Sequence, residues 1–251
     1  MSGEWSVVSS AIMHQLQSTN YKLLTINYKP LTKRHLCAGR KLNSCPILPP
    51  RKAAGAMKMT KTDLQKLEKL TLQTQGNYKA FLYDCDGTLA DNMPSHKAAF
   101  VKAAALYDIS LNDAIVDELA GWPTVLVAEE IAKRYKTQFD YTIFSQQKSA
   151  IFVKEFIEKT LPIPFVVAHL KAHAGKVKIG VVSGGSRSTV SHTLRVIGVD
   201  SYLDVLVCAG ETERGKPYPD PFLLAAEKLR VKPEECVVFE DGEPGVQAAI
   251  S

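Results

Sequence analysis

The sequence lacks any apolar stretch close to the run of about 18 residues that a membrane-spanning helix requires. It also lacks a Cys-x-x-Cys pair, and no histidine stands near a cysteine at zinc-binding spacing. The cysteines are odd in number and widely spaced: Cys37, Cys45, Cys85, Cys208 and Cys236. We therefore expect a soluble protein with reduced thiols, in a cytosol-like compartment and without a membrane partner.

Acidic residues are nearly absent from the first 60 positions, which hold nine Lys/Arg and the single acid Glu4. The whole chain has a net charge of +5, but the residues after position 60 hold 22 basic and 25 acidic side chains, a net of about −3. Proteins that bind nucleic acid show a broad basic surface on the folded domain. We expect no nucleic-acid partner.

The segment 1–59 is a basic leader rich in Ser and Thr. Its composition is typical of an organelle transit peptide, but equally of a disordered extension upstream of a start at Met57 or Met59. No apolar region follows the first residues, which argues against a secretory signal. We expect a cytoplasmic protein, or a plastid or mitochondrial one if the leader is a transit peptide.

Beyond the leader, short apolar runs alternate with helical patterns. The runs 78–83, 177–182, 205–208 and 236–239 have the length and composition of buried strands, and each precedes a glycine-containing loop and a helical segment. This alternation predicts an α/β fold, a doubly wound, Rossmann-like parallel sheet covered on both faces. We assign residues 60–91 and 165–251 to this core.

The segment 92–164 interrupts the alternation, because it contains only helical patterns, at 95–107, 111–120, 124–135 and 143–159. Both of its ends lie near the carboxyl end of the first strand, where open α/β sheets bind ligands. The sequence therefore predicts an inserted all-helical cap domain placed to act as a lid.

Polar side chains follow all four predicted strands: Asp84 with Asp86, Ser183, Lys216, and Glu240 with Asp241. The carboxyl ends of parallel strands meet at one edge of a sheet, so these groups are expected to converge. Clustered carboxylates repel one another unless a hard cation such as Mg²⁺ lies among them. A lysine, a serine and a glycine-rich loop suit a transferring phosphoryl group, and two aspartates divide attack and proton transfer between them.

Each cluster also has a plainer interpretation. Asp-Gly pairs form turns, which would account for Asp86 and Asp241. Ser183 is also a suitable cap for the following helix, and Lys216 is also consistent with a solvated surface charge. Four clusters at four strand ends favour a functional site over four separate turns.

The runs 84–89 (DCDGTL), 182–185 (VSGG), 215–217 (GKP) and 239–242 (FEDG) resemble the four ordered motifs of the haloacid dehalogenase-like hydrolase superfamily. The resemblance covers about residue 76 to the last residue, and the helical insert is similar to that superfamily's cap. It implies Asp84 as nucleophile and Asp86 as general acid and then base. It also implies Ser183 and Lys216 as the groups that hold the transferring phosphoryl.

The resemblance further implies Mg²⁺ as cofactor, held by Asp84, the backbone carbonyl of Asp86, Asp241 and Glu240, the last directly or through water. Asp86 argues against dehalogenation and favours hydrolase or mutase chemistry. The residues expected to contact substrate are Gly87, Thr88, His96, Trp122 and Gly184.

Within the superfamily the chain is most similar to β-phosphoglucomutases and sugar-phosphate phosphatases, and His96 matches a histidine near the cap hinge of the mutases. Where the mutases carry an arginine that grips a second phosphate, this chain has Thr124, in a Gly-x-Pro-Thr form that resembles the fructose-1-phosphate phosphatase branch. We therefore expect a Mg²⁺-dependent phosphatase of small phosphate monoesters, such as sugar phosphates, acting through an aspartyl phosphate.

The alternatives are a phosphosugar mutase, a catalytically idle relative that binds phosphometabolites or a protein, and a phosphonate hydrolase using Lys97 as a Schiff-base lysine. The expected partner is a small phosphorylated metabolite, and the expected state is a monomer or a weak homodimer. The chain stops at Ser251, before the strand that the family pattern places beside 236–239. That sheet edge is expected to be bare unless another segment pairs with it.

Overall fold

The computed structural model describes residues 6–8, 23–24 and 58–251. The strands are β1 (Ser6–Val8), β2 (Leu23–Leu24), β3 (Met59–Thr60), β4 (Ala80–Tyr83), β5 (Ala90–Asp91), β6 (Leu161–Pro162), β7 (Lys178–Val182), β8 (Val205–Val207) and β9 (Cys236–Phe239). The helices are α1 (Lys61–Gln73), α2 (Met93–Ala105), α3 (Ala114–Glu118), α4 (Thr124–Arg134), α5 (Tyr141–Glu155), α6 (Pro164–His173), α7 (Arg187–Val196), α8 (Asp220–Leu229) and α9 (Glu243–Ile250).

The core is a five-stranded parallel sheet in the order β1-β9-β4-β7-β8. The central strand β4 is buried at every position, because apolar clusters cover both faces of the sheet. Helices α6 and α7 contribute to the cluster on one face, and α8 and α9 to that on the other. The predicted α/β class is confirmed.

Helix α1 packs against α6 beside the core. It begins at Thr60, whose hydroxyl accepts a hydrogen bond from the Asp63 amide while the Asp63 carboxylate accepts one from the Thr60 amide. Leu70 on its inner face is fully buried. Helix α1, which precedes β4 in the chain, is therefore part of the packed core.

Helices α2 to α5 form a separate packed unit around their own apolar cluster, which includes Phe100, Ile131 and Phe144. Two short linkers join this cap to the core, and they pair with each other as β5 and β6, with Ala90 opposite Pro162 and Asp91 opposite Leu161. This pairing lies next to the cap limits, 92 and 164, predicted from the sequence. Both linkers leave the core beside the carboxyl end of β4, which places the cap over that end of the sheet.

The edge of the sheet beside β9 has a neighbour. Strand β1 runs parallel to β9, with Ser6 opposite Val237 and Val8 opposite Phe239. The edge position that we expected to be bare is therefore paired with a segment of the leader. Apart from β1, β2 and the residues from 58 onward, the predictions made for the leader lie outside the described residues.

Within the described part of the chain no helix is both long and apolar enough to cross a bilayer. Cys85, Cys208 and Cys236 are buried and unbridged, as expected for reduced thiols. Cys37 and Cys45 lie outside the described residues.

Candidate active site

The polar groups that follow the strands meet at one edge of the sheet, with the ammonium of Lys216 at their centre. Its Nζ donates to Asp84 Oδ1 at 2.7 Å, to Glu240 Oε2 at 2.6 Å and to the Val182 carbonyl oxygen at 3.0 Å. Burial alone would lower the pKa of Lys216, but the two carboxylates more than offset this and hold that pKa above its usual value. Lys216 is therefore a fixed positive charge beside Asp84.

Three carboxylates, those of Asp84, Glu240 and Asp241, lie together with one oxygen of each within 4.8 Å of the others. Burial, and then the charge of Asp84, raises the pKa of Glu240 to about 8 and that of Asp241 to about 7. Their negative charge exceeds what the single ammonium neutralises, and hard oxygen ligands in this arrangement suit a divalent cation such as Mg²⁺. The residues present fit a metal site.

Neighbouring groups hold the carboxylates of this cluster in place. Thr88 Oγ1 donates to Asp241 Oδ1 at 2.6 Å, and the Gly242 amide donates to Glu240 Oε1 at 3.1 Å. Gly87 has a φ of +90° and, lacking a Cβ, admits the Asp241 carboxylate against its backbone. Gly87 and Thr88, which we expected to contact substrate, thus contact Asp241 and are not among the described residues that line the cavity above it.

A cavity with about 700 Å³ of empty space, part of it open solvent, lies between the sheet edge and the cap. Its core side contains Asp84, Asp86, Ser183 and Gly184, and its cap side contains His96, Phe100, Trp122, Thr124 and Lys148. The predicted residues Asp84, Asp86, Ser183, Gly184, His96 and Trp122 all line it. Lys97 does not line it, because its ammonium pairs with Asp117 at 2.5 Å on the outside of the cap.

Asp86 is anchored to the first turn of the cap. Asn92 Nδ2 donates to Asp86 Oδ1 at 2.6 Å, and His96 Nε2 lies 3.3 Å from the same oxygen. Burial would raise the pKa of Asp86, but His96 and the Asn92 hydrogen bond outweigh it, so this pKa is lower than usual. Asp86 is therefore ionised before a substrate arrives.

His96 connects Asp86 to Lys148. Lys148 Nζ donates to His96 Nδ1 at 2.7 Å, so His96 must carry its proton on Nε2, which faces Asp86. The imidazole is held in this position by stacking on Phe152, with ring centroids 4.0 Å apart. Burial lowers the pKa of Lys148 to about 8.

Sequence reasoning did not single out Asn92 or Lys148. Asn92 lies in a helix-capping position, where asparagine is common for local reasons. Lys148 lies in the middle of a cap helix where other lysines, such as Lys154, are exposed, and its 4% exposure was not readable from the sequence. The sequence signal that could have identified Lys148 is a lysine on the face of this helix that is predicted to be buried.

Ser183 lies on the opposite wall from His96. Its Oγ accepts a hydrogen bond from the Gly185 amide at 3.1 Å, which leaves the hydroxyl hydrogen available to an anionic oxygen in the cavity. Strand β7 ends at Val182, so Ser183 and Gly184 form the first turn of the loop that faces Asp84. The site thus brings together buried carboxylates, the Lys216 ammonium, hydrogen-bond donors that suit a phosphate, and an acidic cluster that fits a divalent cation.

Known proteins resemble this chain in sequence and in fold. A family profile described as haloacid dehalogenase-like hydrolase matches residues 78–251. A fructose-1-phosphate phosphatase, YqaB, from Escherichia coli strain K12 is 30% identical over 172 residues, covering 68% of this chain and 91% of that protein. A phosphorylated carbohydrates phosphatase from Thermotoga maritima is 28% identical, over 69% of this chain and 81% of its own length.

Among solved structures, β-phosphoglucomutase from Clostridium difficile is similar with a TM-score of 0.63 and 23% identity, over 68% of this chain and 80% of that one. This similarity shows that the fold is shared.

Proposed function

Because the chain belongs to the haloacid dehalogenase-like hydrolase family and is a phosphoric monoester hydrolase, we propose that it is a Mg²⁺-dependent phosphatase of small phosphorylated carbohydrates, acting through an aspartyl phosphate on Asp84. The observation that carries the proposal is the arrangement around Asp84. Its carboxylate contacts the Lys216 ammonium, belongs to the acidic cluster and faces the cavity.

Asp84 attacks the phosphorus of the bound ester, and the bond between phosphorus and the alcohol oxygen breaks. Lys216 holds Asp84 in position and offsets negative charge as the phosphate approaches the carboxylate. Ser183 Oγ–H and the backbone of the loop 183–185 bind the phosphoryl oxygens from the other side. Water then attacks the phosphorus of the aspartyl phosphate and releases inorganic phosphate.

Asp86 moves the protons in both steps. It is ionised at rest, but a phosphate dianion entering the cavity raises the pKa of a nearby carboxyl group, so Asp86 binds a proton with the substrate. It donates that proton to the leaving alkoxide and afterwards accepts one from the attacking water. Asn92 and His96 keep the carboxylate aimed at the cavity throughout.

The carboxylates of Asp84, Glu240 and Asp241, together with the Asp86 backbone carbonyl, would hold the Mg²⁺ ion. Their oxygens lie close enough for shared coordination. Burial, and then the negative charge of Asp84, raises the pKa of Glu240 and Asp241, and a dication would relieve that charge. When bound, the ion supplies charge stabilisation to the phosphoryl oxygens.

The proposed substrate class rests on the relatives and on the cavity. Relatives named as fructose-1-phosphate and phosphorylated carbohydrates phosphatases cover about two thirds of this chain. The cavity presents the aromatic ring of Trp122 beside the polar groups of Thr124, Ser149 and Lys148, a combination that suits the apolar faces and hydroxyls of a sugar.

Phosphate release from a panel of hexose, ketose and hexitol monophosphates tests this function. We expect release with Mg²⁺, none with a chelator, and a loss of at least about a thousandfold in kcat for Asp84→Asn, since the amide cannot form the aspartyl phosphate. Asp200→Asn, at an exposed position away from the cavity, is the control and is expected to match the wild type. Full activity of Asp84→Asn, or activity indifferent to chelation, would refute the proposal.

The mutase alternative makes a different prediction for the same samples. A mutase converts glucose 1-phosphate to glucose 6-phosphate and needs a sugar bisphosphate for turnover, with little free phosphate. Thr124, the first residue of α4, lines the cavity and offers no cation to a second phosphate, which favours hydrolysis. Phosphorus NMR of the products separates the two activities.

A further inference from the structure

Two glycines of the core lie against the backbone of one loop of the cap, residues 120–123, which we call the cap loop. A Cβ atom added at Gly184 would lie 2.6 Å from the carbonyl oxygen of Gly121. One added at Gly242 would lie 2.8 Å from the carbonyl oxygen of Ala120. Nonbonded carbon contacts are ordinarily about 3.5–4.0 Å, so neither position has space for a side chain while the cap loop stays in place.

A third glycine contacts a side chain of the same loop. A Cβ added at Gly215 would lie 2.9 Å from Cγ of Pro123, and among the described residues other than its chain neighbours the only further atom within 4 Å is Cδ of the same ring. Pro123 directly precedes helix α4, so its ring is fixed to the cap. At this position the restriction comes from one removable side chain.

The local backbone does not explain why these three positions are glycine. None of them is among the glycines with a positive φ, and Gly242 has φ −93° and ψ 137°, which any residue adopts. By contrast, Gly121 has φ +87° and turns the chain beneath the cap. The need for glycine at 184, 215 and 242 arises from the closeness of the cap loop.

Each of these glycines is the sequence neighbour of a residue with a proposed catalytic role. Gly184 follows Ser183, Gly215 precedes Lys216 and Gly242 follows Asp241. The three loops come from the ends of β7, β8 and β9, so the cap loop rests on three separate segments of the site. Its own Trp122 lines the cavity and packs against the cap cluster.

We propose that Gly184, Gly215 and Gly242 are positioning residues that form a seat for the cap loop. The close approach of the cap loop to these glycines sets how near Trp122 lies to the cavity. It also holds the loops that carry Ser183, Lys216 and Asp241 in position when the cap is closed. A side chain at any of the three lifts the cap loop, opens the site to water and loosens the alignment around Asp84.

The experiment is a double-substitution test at the contact between Gly215 and Pro123. Gly215→Ala is expected to lower kcat/KM for a hexose monophosphate by about tenfold or more, with most of the loss in kcat, because a misaligned site slows the chemistry. Adding Pro123→Ala removes the ring atoms that clash and is expected to restore kcat/KM to within about threefold of the wild type. Pro123→Ala alone is expected to stay within about threefold.

Gly184→Ala and Gly242→Ala control for the rescue. Their added methyl groups meet backbone oxygens, which no side-chain substitution removes, so Pro123→Ala is expected to leave their losses unchanged. Circular dichroism and thermal unfolding of every variant separate a displaced loop from a failure to fold.

A second readout keeps the inference distinct from the proposed function, on which its kinetic readout rests. The chain has two tryptophans, so a Trp5→Phe background leaves Trp122 as the sole tryptophan, whose emission is excited selectively over that of the tyrosines. Acrylamide quenching of Trp122 is expected to increase in Gly215→Ala and to return toward the parent value when Pro123→Ala is added. This measurement stands even if the enzyme hydrolyses none of the esters tested.

Two results would overturn the proposal that these glycines form a seat for the cap loop. One is a folded Gly215→Ala variant whose quenching matches that of the parent. The other is a kinetic and fluorescence defect that Pro123→Ala fails to reverse, because the defect would then come from somewhere other than this contact.

Discussion

Burial brings the pKa of the Lys148 ammonium close to physiological pH. It is 4% exposed, its Nζ lies 4.5 Å from the centroid of Phe100, and its hydrogen bond to His96 Nδ1 is 2.7 Å long. Burial lowers the pKa of Lys148 to about 8, and the partial compensation comes from Asp86. The protonated form fixes the proton of His96 on Nε2 and contributes a positive charge to the cavity.

We expect kcat/KM to fall as pH rises through about 8, because Lys148 then loses the proton that it donates to His96. Lys148→Met is expected to lower kcat/KM at neutral pH by about tenfold to a hundredfold and to abolish this alkaline limb. Lys148→Arg, whose guanidinium stays protonated, is expected to shift the limb to higher pH.

Lys154→Met is the matched control, since Lys154 lies on the same helix but is exposed. Its pH profile is expected to match that of the wild type. An alkaline limb that survives unchanged in Lys148→Met would assign the titration to another group.

Residues in short ordered motifs were predictable, whereas those contributed by the cap were not. Asp84, Asp86, Ser183 and Lys216 each follow a strand, so strand topology alone predicted that they meet. Lys148 contacts His96 across 52 residues of helical sequence, and no local pattern specifies that approach.

At the level of elements, a chain of buried hydrogen bonds ties α1, β4 and α6 together. The Thr74 hydroxyl, just after α1, donates to the Leu70 carbonyl, so it accepts from His169 Nε2–H at 2.9 Å. The Tyr83 hydroxyl then donates to His169 Nδ1 at 2.9 Å. Tyr83 immediately precedes Asp84, so this network supports the strand that presents the nucleophile.

His169 is neutral in this network, and burial followed by the nearby His173 lowers its pKa to about 3. The unfolded chain binds a proton at His169 near pH 6.5, so between about 6.5 and 3 the unfolded state holds more protons than the native state. The contribution of His169 to stability is therefore complete above about pH 6.5 and is lost as pH falls.

We expect the difference in unfolding free energy between the wild type and His169→Gln to shrink by up to about 1.4 kcal/mol per pH unit below about pH 6.5. Denaturant titrations at several pH values measure it. His192→Gln serves as the control, because His192 pairs with Glu158 and takes no part in this network. Parallel pH profiles for the wild type and His169→Gln would contradict the assignment.

The sheet strands that carry the site were predictable because each is a compact buried run with a helix after it. The runs 78–83 and 236–239 correspond to β4 and β9 within two residues. The linker strands β5 and β6 have two residues each, too few for any periodicity to show. Strand β1 likewise has three residues, and its pairing with β9 depends on tertiary placement.

At the scale of the whole molecule, the site exists only where the cap meets the core. The core supplies Asp84, the proposed nucleophile, and the carboxylates proposed to hold the metal, and the cap supplies His96, Trp122 and Lys148. The sequence predicted two modules and their order along the chain. It did not predict that the cap loop lies against Gly184 and Gly242, because that contact depends on how two separately packed units are placed.

The acidic cluster joins β4 and β9, so metal binding is expected to stabilise the whole fold. Asp84 and Asp241 are far apart in the unfolded chain, which therefore has no preformed site. A ligand that binds only the native state adds about 2.7 kcal/mol to the unfolding free energy at a hundred times its dissociation constant. We expect Mg²⁺ to raise the midpoint of thermal unfolding and a chelator to reverse the rise.

The hydrogen bond from Thr88 to Asp241 allows the Mg²⁺-dependent stabilisation to be changed without replacing a carboxylate of the acidic cluster. Thr88→Val keeps the volume but removes the hydroxyl that donates to Asp241 Oδ1, so about tenfold more Mg²⁺ is expected to be needed for the same stabilisation. Thr88→Ser retains the donor and is expected to titrate much like the wild type. Asp241→Asn, which changes a carboxylate of the cluster itself, is expected to lose most of the Mg²⁺-dependent rise. Identical unfolding with Mg²⁺ and with chelator in the wild type would show that the cluster does not bind the ion, because stabilisation by native-state binding requires no catalytic turnover.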